Sequence, residues 1–160
     1  MIHPDLGGLA GPFAALPAVN LTGLTPDTLA RFTAMAEDYR AATGKRIQVN
    51  SAYRSPQEQA ALYAANPAKA AAPGRSMHNY GYALDIQSEQ ADQLDTLGLL
   101  RKHGFHRPLM APWVRNKESW HIERAGLNYA KIRAAGGVSI GILLALAAGV
   151  YLLTRRAAFS

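Results

Sequence analysis

The chain has 160 residues, room for one compact domain and an appendage. Its net charge is +6, but the basic residues are scattered rather than gathered in a tract, which argues against nucleic-acid binding and for attraction to an anionic surface such as a bacterial envelope. There is no cysteine, so disulfides and thiolate ligands are excluded and any metal must be held by His, Asp or Glu.

Residues 1–24 are rich in proline and glycine and read as an irregular arm packed over the domain. Met1-Ile2-His3-Pro4-Asp5 has neither the positive start nor the unbroken apolar run of a secretory leader. Thr25-Pro26-Asp27 opens a helix, with a hydroxyl at the N-cap, proline at the first turn and an acid beside it. Leu29, Phe32, Ala36 and Tyr39 give it an apolar face, and Gly44 ends it. Arg46 to Ala52 alternates and reads as a strand. Ser55-Pro56-Gln57-Glu58 is a capping box that starts a helix running to about Ala65. Residues 66–75 form a loop, Tyr82 to Gln87 a strand, and Ser88 caps a helix with Ala91, Leu94, Leu97 and Leu100 on its apolar face, ending at Gly104. Phe105 begins a short extended piece, residues 106–116 a loop, and Ser119 to Glu123 a strand. Separate helices and short strands without regular βαβ alternation read as an α+β domain over residues 25–130.

From Ala134 to Leu153 the chain runs for 20 residues without a charge, with Lys131 and Arg133 before it and Arg155 and Arg156 after. That length suits a bilayer-spanning helix of about 20 residues followed by a short basic tail. A buried core helix is the alternative, but the run has no polar face. Gly137, Gly141, Ala145 and Gly149 form a small-residue ridge that could pair helices in lipid. Basic residues at both ends leave the orientation open.

Chemistry concentrates in two stretches. Ser76-Met77-His78-Asn79-Tyr80-Gly81-Tyr82-Ala83-Leu84-Asp85 sets an imidazole and a carboxylate seven residues apart, with a glycine for a turn between them. Glu118-Ser119-Trp120-His121-Ile122-Glu123 supplies a second imidazole. His78, Asp85 and His121 make a three-ligand set for catalytic zinc with one position left for water. Glu118 is the natural base to activate that water. Strand alternation places His121 and Glu123 on a polar face opposite Trp120 and Ile122. Glu118 has the wrong parity and needs a bend to reach the same metal. Asp85 could instead cap a strand end, and Glu123 could support the site or simply be exposed. Arg54, between a strand and a capped helix, falls on a sheet rim where it could clamp a carboxylate or an oxyanion, or be a plain surface residue. His3, His103 and His106 stand in no such pattern and read as surface or structural.

Taken together, Tyr53-Arg54-Ser55, then Ser76-x-His78-x-x-Gly81-x-Ala83-x-Asp85, then Glu118-x-Trp120-His121 resembles the zinc D-alanyl-D-alanine carboxypeptidase and dipeptidase family, including the related phage endolysins that cut L-alanyl-D-glutamate bonds. The resemblance spans roughly Thr25 to Glu123. It implies a small α+β domain with a central antiparallel sheet and one zinc ion in a groove. It also implies zinc on His78, Asp85 and His121, with Glu118 as base and then proton donor. Arg54 would bind the substrate carbonyl or the oxyanion, and Ser76 the substrate backbone.

The expectation is therefore a zinc peptidase that hydrolyses peptide bonds in peptidoglycan stems. A membrane segment without a leader suggests a phage protein, anchored in a virion internal membrane or the host inner membrane, that opens the wall during infection or lysis. Two rivals come from other classes: a non-catalytic zinc-containing binding module, as in the hedgehog signalling domains that resemble these peptidases, and a membrane-anchored structural or lysis-accessory protein. Carboxypeptidase and endopeptidase differ in whether the groove is closed beyond the scissile bond, which the loops 66–75 and 107–117 decide.

Overall fold

The computed structural model describes residues 11–135. Local capping chemistry sets the two longest helices. Thr25 accepts a hydrogen bond from the Thr28 N–H to start α1 (Pro26–Thr43), and Gly44, at φ 71°, ends it by donating its N–H to Arg40. α2 (Pro56–Ala65) starts on a complete capping box between Ser55 and Glu58.

The sheet has five strands in the order β1-β2-β3-β5-β4: β1 (Phe13–Ala15), β2 (Ile47–Ser51), β3 (Ala83–Ile86), β4 (Phe105–His106) and β5 (His121–Arg124). α1 lies on one face. Phe32 packs its ring 5.1 Å from Phe13 and 6.5 Å from Phe105, and Met35, Tyr39, Ile47, Val49, Leu84, Ile86 and Ile122 complete a core with essentially no solvent exposure. Each such side chain contributes on the order of 1.5–3 kcal/mol by leaving water.

Register delivers the site to the other face. β3 and β5 run antiparallel with Leu84 opposite Ile122 and Asp85 opposite His121. Leu84 and Ile122 point into the core, so Asp85 and His121 project from the far side. The Ile86 N–H donates to Trp120 O, which makes Asp85 and His121 a non-hydrogen-bonded pair, the kind whose side chains sit closest.

The expected α+β domain with a central antiparallel sheet and a C-terminal transmembrane helix is corrected on two counts. The fold is mixed: β1 pairs parallel with β2, and only the remaining pairs are antiparallel. Phe13 drives this by entering the core from within the stretch read as irregular; a three-residue strand is too short to show a period. Among the described residues, no helix is long and apolar enough to cross a membrane. The segment read as a span, 134–153, lies outside the described residues except for Ala134 and Ala135, as do its small-residue ridge and the membrane placement and self-association expected from it. What is described of that region, the helical residues 129–135, still carries Lys131 and Arg133 and is docked by Tyr129, whose hydroxyl meets His106 Nε2 at 2.9 Å.

The helix expected from Ser88 to Gly104 is two. α3 (Ser88–Thr96) stops and α4 (Leu99–Lys102) restarts after Gly98, at φ 69°. The left-handed glycine turns the chain so that Leu99 and Leu100 enter the core while Leu97 stays exposed. Gln87, rather than Ser88, takes the N-cap position.

Candidate active site

His78 comes from a 3-10 turn, Met77–Tyr80, that ends on Gly81 at φ 70°. A Cβ on Gly81 would stand 2.5 Å from Gly23 O and 2.8 Å from Thr25 N, so only glycine lets the chain pass from this turn into β3. The turn brings His78 over the Asp85–His121 pair. His78 Nε2 lies 3.3 Å from both Asp85 Oδ1 and His121 Nδ1, and His121 Nδ1 lies 2.9 Å from Asp85 Oδ1. One ligand atom from each of the three falls within 4.8 Å of the others, a group that could hold a metal ion.

The outer partners orient both rings. His78 Nδ1 sits 2.5 Å from Ala52 O, which can only accept, so Nδ1 carries the proton and Nε2 turns its lone pair inward. His121 Nε2 sits 2.9 Å from Glu123 Oε1, leaving Nδ1 to face Asp85. Three lone-pair-bearing atoms thus converge in a buried site, and a cation among them would replace their mutual repulsion with attraction. Without a metal, a proton serves. Burial alone would depress His121, but its hydrogen bonds to Asp85 and Glu123 outweigh this and push its pKa up to about 9. Burial likewise opposes the charge on Asp85, and the bonds from His121 and His78 overcome it, holding the carboxyl well below the usual range.

Arg54 stands at the rim as expected, its backbone N–H donating to His78 O at 3.2 Å. Its guanidinium is aimed by three acceptors: Gln59 Oε1 at 2.8 Å, Ser51 Oγ at 3.0 Å and Asp85 Oδ2 at 3.5 Å. Glu118 lies just outside β5. The Ser119–Trp120 turn, closed by the His121 N–H donating to Glu118 O at 3.3 Å, supplies the bend its parity demanded. Its carboxyl is in electrostatic reach of His121, Asp85, His78 and Arg54, and burial raises its pKa. Ser76 takes the position before the His78 turn, where its hydroxyl makes no capping hydrogen bond.

Sequence reasoning missed Gln59 and Asn79. Gln59 is 1% exposed, and besides holding Arg54 it donates to Ala71 O at 2.6 Å, tying the loop 66–75 to the arginine. Asn79 donates to Arg54 O at 2.8 Å and accepts from the Gly74 N–H at 3.1 Å. Both lie close to motif residues, but nothing in their own spacing marks them as buried. Glu123, left open between support and exposure, holds His121. His103 contacts Asp38 at 2.6 Å, away from the ligand group, His106 contacts Tyr129 and stands opposite Glu123 across β4 and β5, and His3 lies outside the described residues.

Two imidazoles and a carboxylate converging on one point, with a half-buried glutamate and an oriented arginine alongside, define a mononuclear metallohydrolase site. The family model for D-alanyl-D-alanine carboxypeptidase (VanY) matches residues 22–126. The chain belongs to this family and is a zinc metallopeptidase.

Among solved structures, the LD-carboxypeptidase LdcB, whose structure reveals the molecular basis of peptidoglycan recognition, is similar at 26% identity, with 71% of each chain covered and a TM-score of 0.53. DacB from Streptococcus pneumoniae D39 shares the fold at 22% identity, covering 71% of this chain and 73% of its own, with a TM-score of 0.52. The D,D-pentapeptidase VanY from a VanB-type vancomycin resistance cassette, a mutant solved with Zn(II), matches at 24% identity, covering 71% of this chain and 79% of that one, with a TM-score of 0.49. No curated protein matches the chain.

Proposed function

We propose that this chain is a zinc carboxypeptidase that removes the terminal residue of peptidoglycan stem peptides. The observation that carries the reading is the inward convergence of His78 Nε2, Asp85 Oδ1 and His121 Nδ1 beside Glu118. The family match and the likeness to LdcB support the substrate class and the carboxypeptidase mode.

His78, Asp85 and His121 would hold the zinc. When bound, zinc supplies a Lewis acid that polarises the scissile carbonyl and makes water a better nucleophile. Glu118, raised by its partly buried setting, takes the proton from the attacking water and passes it to the leaving amine. Arg54, aimed by Gln59 and Ser51, meets the negative charge that grows on the carbonyl oxygen. The uncommitted Ser76 hydroxyl bonds the substrate backbone.

The test is mass spectrometry of soluble stem peptides after incubation with the zinc-loaded chain and its Glu118→Ala twin. Loss of one terminal residue with the parent and none with the twin is the expected result. Fragments cut inside the stem would replace the carboxypeptidase reading with an endopeptidase. Intact peptide in both reactions would return the chain to the binding-module class.

A further inference from the structure

The loops 66–75 and 107–117 both run directly into the site: Arg75 precedes Ser76, and Lys117 precedes Glu118. Neither loop contains an acidic residue. Lys69, Arg75, Arg115 and Lys117 are exposed, and among the described residues none of the four makes an ion pair. Other cations are held by acids: Arg31 and Arg124 by Asp27, Lys102 by Asp38, and Arg107, at the start of the second loop, by Asp92.

The two loops are also held together and in place. Asn116 Nδ2 reaches Ala68 O at 3.5 Å. Gly74 is fixed from both sides, its N–H donating to Asn79 Oδ1 and its carbonyl accepting from the Tyr80 hydroxyl at 2.8 Å, while Gln59 fixes Ala71. Lys117 Nζ donates to the Met110 and Ala111 carbonyls, neutral acceptors that place its charge without cancelling it.

We propose that these loops form one cationic rim that recognises the carboxylates of the stem peptide lying outside the reacting bond. This rests on the peptidase reading above. Four unpaired cations on two anchored loops that lead into a site whose floor carries the acids Asp85 and Glu118 suit a peptide with a few discrete carboxylates. A long polyanion would have to bring its charge across that floor.

The test separates binding from turnover. The full-length Glu118→Ala chain, loaded with zinc, is titrated with a stem peptide bearing free side-chain carboxylates and with its amidated counterpart. The reporter is tryptophan fluorescence, since Trp113 lies on the second loop and is 85% exposed. The same titrations are run on that chain carrying Lys69→Gln and Arg115→Gln, two exposed changes whose folding is checked by thermal melting. The double change is expected to weaken binding of the free-carboxylate peptide about fivefold to tenfold at low ionic strength. That difference should shrink as salt is raised and vanish for the amidated peptide. Equal affinity of the two chains for the free-carboxylate peptide overturns the rim, as does failure of the parent to bind it. Binding of poly-glutamate or DNA as tightly as the stem peptide also overturns it, as a nonselective anion surface. Failure of the unsubstituted enzyme to cut any stem peptide defeats the peptidase reading instead, and the titration still reads the rim.

Discussion

Glu123 Oε1 lies 2.9 Å from His121 Nε2, two residues along the same strand and on the same face. The contact keeps a proton on the outer nitrogen, turns the inner one toward Asp85 and makes His121 a better ligand. Glu123→Gln keeps the size but lets the amide present the wrong group to the ring. Zinc affinity, read by competition with a chelator, should fall roughly 10- to 100-fold, while the apo chain stays folded.

The same ring sets a pH dependence for the metal-free chain. His121 titrates at about 9 in the folded protein against an ordinary 6.5. Its contribution is complete below pH 6.5 and is lost as pH rises through about 9. Asp85 belongs to the same pair and is depressed, so its share is present above its ordinary 3.8 and lost as pH falls below that. The melting temperature of the apo chain should therefore be highest between these limits. Zinc must displace the His121 proton, so apparent zinc affinity should climb with pH up to about 9.

Gln59 gives a different signature. Gln59→Leu removes an acceptor from Arg54 and leaves Ala71 O without its donor. A stability loss of about 1–3 kcal/mol follows from the unmet polar groups. Because the role proposed for Arg54 is to meet charge that develops during reaction, kcat should fall further than KM rises, with zinc content unchanged.

Glu118 should govern the acid side of the activity profile. Protonation of its carboxyl removes the base, so kcat/KM should fall on the acid side as Glu118 titrates. In Glu118→Gln turnover should be lost while a full equivalent of zinc is retained.

Gly81→Ala places a side chain at φ 70° and 2.5 Å from Gly23 O. The left-handed backbone alone costs roughly 1–2 kcal/mol, and the backbone clash adds to it. The variant should melt well below the parent and bind zinc weakly, because relieving the clash shifts His78.

How much of this was legible depended on whether the signal was local. Thr25 and the Ser55–Glu58 box announced both long helices, because caps are written in adjacent residues. The three ligands and Glu118 stood out through dense motifs, although the bend that brings Glu118 round is a turn the alternation of β5 could not express. β1 was missed because its three residues pair with a strand more than thirty positions away. Gly98 split one helical period into two helices, a break that an apolar periodicity runs straight across. Gln59 carried no local signal, since its partners, Arg54 and Ala71, lie outside its helix.

The strand order carries a consequence for biosynthesis. Among the described residues, β5 is the last strand in sequence yet sits between β3 and β4, and β4 pairs with no other strand. A nascent chain that has not yet released residues 121–124 lacks His121 and Glu123, leaves β4 without a partner and leaves β3 paired with β2 alone. Under the proposed mechanism the site is complete only once this closing strand has docked, so a nascent chain still lacking it is inert toward the peptides around it.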